Sequence, residues 1–153
     1  MREIKFRGKR VDNGGWVYGD LISNLFLKTK TRERIPYIID PYKLDYECFE
    51  DVAEQLDEFE VDPATVGQYI ERQDDHGEDL WEGDILNIQI HDHAWKKVIV
   101  EQNVAIEYEN GKFGVRWGFE KELSSFDGFC RSATTFKKVG NIHDNPELLE
   151  VKS

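Results

Sequence analysis

This chain is best understood from the stretch Val61-Asp62-Pro63-Ala64-Thr65-Val66-Gly67-Gln68-Tyr69, followed by Asp74-Asp75-His76-Gly77 and then by Leu80-Trp81-Glu82-Gly83-Asp84-Ile85. Residues 65–70 alternate β-branched and aromatic side chains, and residues 85–90 alternate again, as half-buried strands do. Residues 75–77 have the composition of a turn. The stretch therefore predicts strand, turn and strand. It contains no nucleophile, metal cage or phosphate-binding loop.

Two further turns organise the rest of the chain. Residues 12–15 (Asp-Asn-Gly-Gly) and residues 109–112 (Glu-Asn-Gly-Lys) carry the Asn-Gly pairs that favour tight hairpins. Together with short apolar runs elsewhere, they predict about eight short strands. That pattern is typical of a mainly β fold, such as a small barrel.

In one segment the apolar residues are spaced as in a helix and not as in a strand. In residues 45–59 the apolar side chains recur every three or four positions, and Asp and Glu occupy the other face. This spacing predicts one amphipathic helix, with the following residues on its apolar face: Tyr46, Phe49, Val52, Leu56 and Phe59.

Four stretches in the right order resemble the YopX family of bacteriophage and prophage proteins. They are the central stretch quoted above and residues 2–7, 16–20 and 139–149, although residues 70–72 depart from the pattern of many relatives. The resemblance implies an SH3-like barrel and a phage setting, and it transfers no catalytic residue. On this basis we expect a single domain over residues 1–153. Residues 61–149 would form the barrel, and residues 1–60 would add the N-terminal β-hairpin and the helix packed on it.

Composition limits the classes of protein to consider. The chain has 153 residues, of which 39% are hydrophobic and 12% aromatic, enough for one core without disulfide or metal support. No apolar run reaches the roughly 20 residues that span a bilayer, and the first residues lack a secretory signal. These features predict a cytoplasmic protein.

The net charge of −11 is concentrated in one region. Residues 44–84 hold sixteen Asp and Glu against one Arg, whereas residues 1–43 have a balance of +5. This asymmetry predicts a non-enzymatic binding module whose acidic surface contacts a host or phage protein, or a second copy. A solvated acidic face that only maintains solubility is the alternative. The candidate contact residues are Glu47, Glu50, Glu54, Asp57, Glu58 and, beside two lysines, Trp95.

A second hypothesis is that the chain binds nucleic acid through its basic N-terminal third. Cations at residues 2–10 and a basic loop at residues 28–34 could contact phosphates, although the overall charge opposes such binding. The candidate loop residues are Lys28, Lys30, Arg32 and Arg34.

No cofactor, metal or catalytic residue is predicted. His91 and His93 lie two apart on a strand and could share an ion with His76 or His143, but a typical site needs three or four converging ligands. Cys48 and Cys130 are far apart in the sequence and are expected to be free thiols. The carboxylates of residues 47–58 are expected on an exposed face, without the burial that separates catalytic pKa values.

Overall fold

The computed structural model describes residues 1–23, 33–43, 55–92, 94–118, 122–126 and 134–150. The chain divides into two compact units, Met1–Tyr69 and Ile70–Ser153. The division falls within a strand, after the boundary at residue 60 that the sequence suggests between extension and core.

The first unit is built on an antiparallel sheet. Its strands are β1 (Phe6–Lys9), β2 (Trp16–Ile22) and β3 (Tyr37–Ile39), and the strand β4 (Gly67–Gln73) begins in it. The strand order is β3-β2-β1-β4. The predicted hairpin at residues 12–15 is confirmed, because it joins β1 to β2 with Lys9 opposite Trp16. Gly14 takes the positive φ that this turn requires.

Buried apolar side chains from the strands and from the segment that follows them form the core of the first unit. Two short 3-10 helices, Asp57–Phe59 and Pro63–Thr65, lead the chain back to β1. Asp62 caps the second of them by accepting a hydrogen bond from the backbone N–H of Ala64 at 3.0 Å. The buried apolar residues of this core are Val17, Tyr37, Ile38, Leu56, Phe59 and Val61.

The second unit contains two three-stranded antiparallel sheets. The first has the order β11-β6-β7, with β6 (Asp84–His91) between β11 (Thr134–Asn141) and β7 (Val98–Ala105). The second has the order β10-β9-β8 and consists of β8 (Glu107–Glu109), β9 (Lys112–Val115) and β10 (Ser124–Ser125). Strand β5 (Asp79–Trp81) is hydrogen-bonded to β4, and a 3-10 helix, Pro146–Leu149, follows β11.

The second unit has its own core. The predicted hairpin at residues 109–112 is confirmed: β8 and β9 pair around Asn110 and Gly111, which both have positive φ. This is the geometry that a tight two-residue hairpin needs. The buried residues are Ile70, Leu80, Leu86, Ile88, Val104, Ile106, Val115 and Phe126.

The predicted SH3-like barrel is wrong. The fold is mainly β and antiparallel as expected, but the described strands form open sheets instead of a closed barrel. A barrel requires a hydrogen-bonded neighbour on both sides of each strand. Within the described residues β7 ends its sheet, and residues 98–101 are exposed instead of facing a barrel interior. Strands as short as β8 and β10 also offer few ladder hydrogen bonds for closure.

The predicted amphipathic helix is likewise not a feature of the described fold. Residues 45–54 of that segment lie outside the described residues. In its described end, the α-helical conformation covers only Gln55 and Leu56, and the chain then tightens into the 3-10 helix Asp57–Phe59. That helix ends at Phe59, and the extended backbone of Glu60 leads into two β-bridges, Glu60 with Tyr37 and Val61 with Arg10. A 3-10 helix therefore stands where the last turn of an α-helix was predicted, and backbone pairing begins directly after it.

The predicted cytoplasmic location stays a prediction. In the part of the chain that the structure describes, no helix has the length and apolar character needed to cross a bilayer.

Candidate functional site

The edge strand β7 exposes three consecutive apolar side chains. Val98, Ile99 and Val100 have exposed fractions of 38%, 61% and 42%. In a regular strand, alternate side chains point to opposite faces, so at least one of three consecutive residues in a two-layered fold is usually buried. The β6–β7 register explains the departure: Ile90 lies opposite Val100, whereas His91 lies opposite Val98. Ile99 is therefore the extra residue of a β-bulge, which bends the strand and redirects its side chains.

Trp95 lies beside this strand, in the turn between β6 and β7, and is 54% exposed. Its ring stacks on His91 with 4.9 Å between centroids and 26° between planes. Its backbone has φ +56°, and its N–H donates to the carbonyl oxygen of Asp92 at 2.9 Å. The Oδ1 of Asp92 also accepts from the N–H of Lys96 at 2.8 Å. The turn and the stacking thus hold a large apolar ring at the surface.

We call Trp95, Val98, Ile99 and Val100 together the β7 patch. Large apolar and aromatic side chains that are both exposed and held in place are typical of binding surfaces. A rigid ring loses little conformational entropy when it is buried by a partner. The patch can therefore bind by apolar contact, and none of its side chains can act as an acid, a base or a nucleophile.

A polar network on β6 and β7 borders the β7 patch. The Oε1 of Glu101 accepts hydrogen bonds from the amides of Asn87 at 3.0 Å and Gln89 at 3.2 Å. Asn87 also donates to the Oδ1 of Asn103 at 2.9 Å. These side chains connect the two strands across the ladder and fix the carboxylate of Glu101 beside the exposed apolar residues.

The same sheet carries a shallow groove of about 310 Å³ on β6 and β11. His91, Thr135 and Lys137 are among its lining residues. The Nε2 of His91 and the Oγ1 of Thr135 are 3.2 Å apart, within hydrogen-bond distance. His91 therefore contacts Thr135 in the groove and Trp95 in the β7 patch, and it connects the two features.

The turn at residues 74–77, which we call the aspartate turn, is hydrogen-bonded to strand β11. Burial acts to raise the pKa of Asp74, but hydrogen bonds from the backbone N–H groups of Lys138, Glu78 and His76 outweigh it and hold that pKa below its usual range. The neighbouring Asp75 accepts from the N–H of Phe136 at 2.8 Å. Both carboxylates are occupied with backbone groups, so their role is to position the turn.

The first unit has a cationic and aromatic face on β1. Lys5 directly precedes β1 and alternates with Arg7 and Lys9 of that strand, which share one of its sides. Arg7 lies over the ring of Trp16 at 4.7 Å, Lys9 over the same ring at 5.5 Å, and Lys5 over Tyr69 at 4.3 Å. Arg7 is only 3% exposed, so its contact with Trp16 is part of the packing.

The predicted acidic surface is only partly described. Asp57 and Glu58 occupy the first turn of the 3-10 helix Asp57–Phe59 and are exposed. Glu47, Glu50 and Glu54 lie outside the described residues, as do Lys28, Lys30 and Arg32 of the predicted basic loop. Arg34 is exposed. Both predicted contact sets therefore stay predictions.

The remaining site predictions concern Trp95 and the histidines. Trp95 is at the surface, as expected, and its contact with a partner stays a prediction. His93 lies outside the described residues, so its pairing with His91 is not described either. Across the described ranges, no three His, Cys, Asp or Glu side chains are grouped as metal ligands.

Sequence reasoning did not single out Val98, Ile99 and Val100. Their composition predicts a strand, and a strand with three β-branched residues in a row is usually expected to be buried. The available signal was the flanking sequence, because Lys96 and Lys97 precede the run and Glu101 follows it. Charges at both ends of an apolar run are typical of an edge strand.

The chain resembles known proteins in its family and in its fold. The family model described as YopX protein matches residues 5–150. Among solved structures, the crystal structure of protein EF1440 from Enterococcus faecalis is 22% identical, with a TM-score of 0.55, and the alignment covers 98% of this chain and 100% of that one. At this identity the likeness shows the fold alone. No curated protein matches the chain.

Proposed function

The chain belongs to the YopX family, as its sequence motifs predict, and we propose that it is a non-enzymatic binding module that acts through protein–protein contact. The observation that carries this proposal is the β7 patch. It presents a held tryptophan and three exposed β-branched side chains in one short region. We place this activity in a phage or prophage setting and in the host cytoplasm.

The chemistry of the β7 patch favours a protein partner. Tryptophan is enriched among the residues that dominate protein interfaces, and apolar neighbours help it by excluding water. Glu101 and Lys97 border the apolar residues and supply the polar rim that such interfaces have. We expect Trp95 and Ile99 to contribute most of the binding free energy.

The net charge of −11 adds a long-range attraction between the chain and a basic partner. A strongly acidic protein attracts partners with a basic surface and accelerates their association at low ionic strength. Asp57 and Glu58 are the exposed described members of the predicted acidic surface. Reversing the charges of Asp57 and Glu58 should lower the association rate and its salt dependence, while the dissociation rate changes little.

The test is affinity purification of the tagged chain from host cells, with and without nuclease. We expect a protein partner that survives nuclease, is captured by the wild type and is lost with Trp95→Ala. The matched control is Tyr42→Ala, because Tyr42 is a 98% exposed aromatic residue of the first unit. Equal capture by wild type and Trp95→Ala would exclude the β7 patch as the contact surface.

Nucleic-acid binding is the second candidate, favoured by the cationic and aromatic face of β1. Aromatic rings beside lysines can stack on bases while the cations contact phosphates. Because Arg7 is buried, Lys5 and Lys9 would make these contacts. Labelled single- and double-stranded DNA and RNA should then change anisotropy at low salt, with a loss on Lys9→Glu. No change with any of them would eliminate this candidate.

A further inference from the structure

The charges around the β7 patch are self-complementary. Lys97 lies two residues before Ile99, and Glu101 lies two residues after it. If two copies of β7 meet antiparallel about Ile99, Lys97 of each copy lies opposite Glu101 of the other. Val98 then lies opposite Val100, and Ile99 opposite Ile99. A parallel arrangement would instead place like charges opposite each other, which is unfavourable.

We propose that the β7 patch binds a second copy of this chain in a two-fold antiparallel contact centred on Ile99. This inference rests on the proposed function, because it uses the same surface and names one partner for it. Three apolar side chains from each copy would be removed from water at the centre. Two Lys97–Glu101 pairs would close the contact at its ends.

The described hydrogen bonds prepare Glu101 for this role. Its Oε1 accepts from both Asn87 and Gln89 of β6, so the position of the side chain on the edge strand is restricted before any partner arrives. A side chain that is already positioned loses less conformational entropy when it pairs with a cation. This lowers the cost of pairing with Lys97 of the second copy.

The two-fold geometry of the contact favours a closed pair of copies over an open assembly. In the register of β6 and β7, Ile99 lies opposite no residue of β6, and its exposed fraction of 61% exceeds those of Val98 and Val100. It is therefore available at the centre of the contact. A contact built on one two-fold axis uses each edge once and stops at two copies.

The first experiment measures self-association of the purified chain by sedimentation equilibrium over a concentration series. We expect a reversible monomer–dimer equilibrium for the wild type and at least tenfold weaker dimerisation for Ile99→Lys. Ile4→Lys is the matched control, because Ile4 is an isoleucine with a similar exposed fraction of 53%. Circular dichroism and thermal melting should show that both variants stay folded.

Charge exchange separates this contact from other dimer interfaces. Lys97→Glu and Glu101→Lys should each weaken dimerisation by about tenfold, because each places like charges opposite each other twice. The double variant Lys97→Glu with Glu101→Lys restores opposite charges and should recover most of the wild-type affinity. Dimerisation that does not respond to Ile99→Lys, or a double variant no better than the single ones, would overturn the proposal.

Cross-linking tests the position of the two-fold axis. Residues opposite each other in antiparallel strands have Cα atoms about 4.5–5.5 Å apart, within the range of a disulfide. In a background with Cys48 and Cys130 replaced by Ser, Ile99→Cys should form a dimer under mild oxidation, and Ile4→Cys should not. A wild type that stays monomeric at all concentrations, while Trp95-dependent capture of another protein persists, would refute this inference and leave the proposed function standing.

Discussion

The ammonium of Lys138 on strand β11 lies 3.1 Å from the Oδ2 of Asp84, which is completely buried at the start of β6. The same oxygen accepts the backbone N–H of Trp81 at 2.9 Å. Lys138 also donates its own backbone N–H to Asp74 at 2.9 Å. One residue of β11 thus holds two carboxylates that belong to the central stretch of the sequence. This arrangement fixes the positions of β5, the aspartate turn and β6 relative to β11.

We expect Lys138→Met to destabilise the chain by about 3 kcal/mol, because it leaves the buried carboxylate of Asp84 without the ammonium beside it. Methionine keeps a similar length and apolar stem, so the loss reports on charge and not on volume. The measurement is urea unfolding at pH 7, followed by circular dichroism.

The double variant Asp84→Asn with Lys138→Met is the control for this pair. Removing both charges also removes the buried carboxylate that Lys138→Met leaves without its ammonium, so the double variant should be more stable than Lys138→Met alone. Equal or lower stability of the double variant would show that the pair contributes little and that Asp84 acts mainly through Trp81.

Asp74 gives a prediction about acid stability. Its pKa is held below the usual range by three backbone hydrogen bonds, in spite of burial. The stability that it contributes is therefore fully present above its unfolded pKa of about 3.9 and is lost as the pH falls through its folded pKa. Asp74→Asn should lower the free energy of unfolding by about 2 kcal/mol at pH 7. The difference in unfolding free energy between wild type and variant should become smaller below about pH 4. A deficit that stays constant from pH 7 to pH 3 would contradict this role.

The hairpins could be predicted from the sequence, because their cause is local. Asn110 and Gly111 accept the positive φ of a tight turn wherever the flanking residues form strands. The clamp of Asp74 on Lys138 has no such local signal. It joins a side chain to a backbone group 64 residues away, and an Asp in a turn-like sequence predicts only a bond to its own turn.

The candidate site also combines one feature that has a local sequence signal with one that depends on long-range pairing. The lysines beside Trp95 indicated an exposed ring, and Trp95 is exposed. The bulge at Ile99 depends on how β6 and β7 align, and a shift of one residue in alignment leaves the composition of both strands unchanged. The open sheets depend equally on long-range pairing, which explains why apolar alternation suggested a barrel that does not form.

Gly114 is required by a close approach of two strands. A Cβ built at this position contacts the carbonyl oxygen of Ser124 and lies 2.9 Å from its carbonyl carbon, and both atoms are backbone. Gly114→Ala should therefore separate β9 from β10 and cost about 2 kcal/mol or more. Gly77→Ala is the control, since its positive φ carries strain but an added Cβ there meets no described atom within 4 Å. Thermal melting should rank Gly114→Ala below Gly77→Ala, and the reverse order would be inconsistent with this packing.

The contact between Arg7 and Trp16 should contribute to the free energy of unfolding of the first unit. The guanidinium lies 4.7 Å from the ring centroid and is almost completely buried, and a desolvated cation–π contact is stronger than an exposed one. We expect a double-mutant cycle with Arg7→Met and Trp16→Leu to give a coupling free energy of about 1–2 kcal/mol in urea unfolding. Arg7 would then be a structural residue, and phosphate contact on this surface would fall to Lys5 and Lys9. A coupling near zero, together with weaker nucleic-acid binding by Arg7→Met, would instead assign Arg7 to a binding surface.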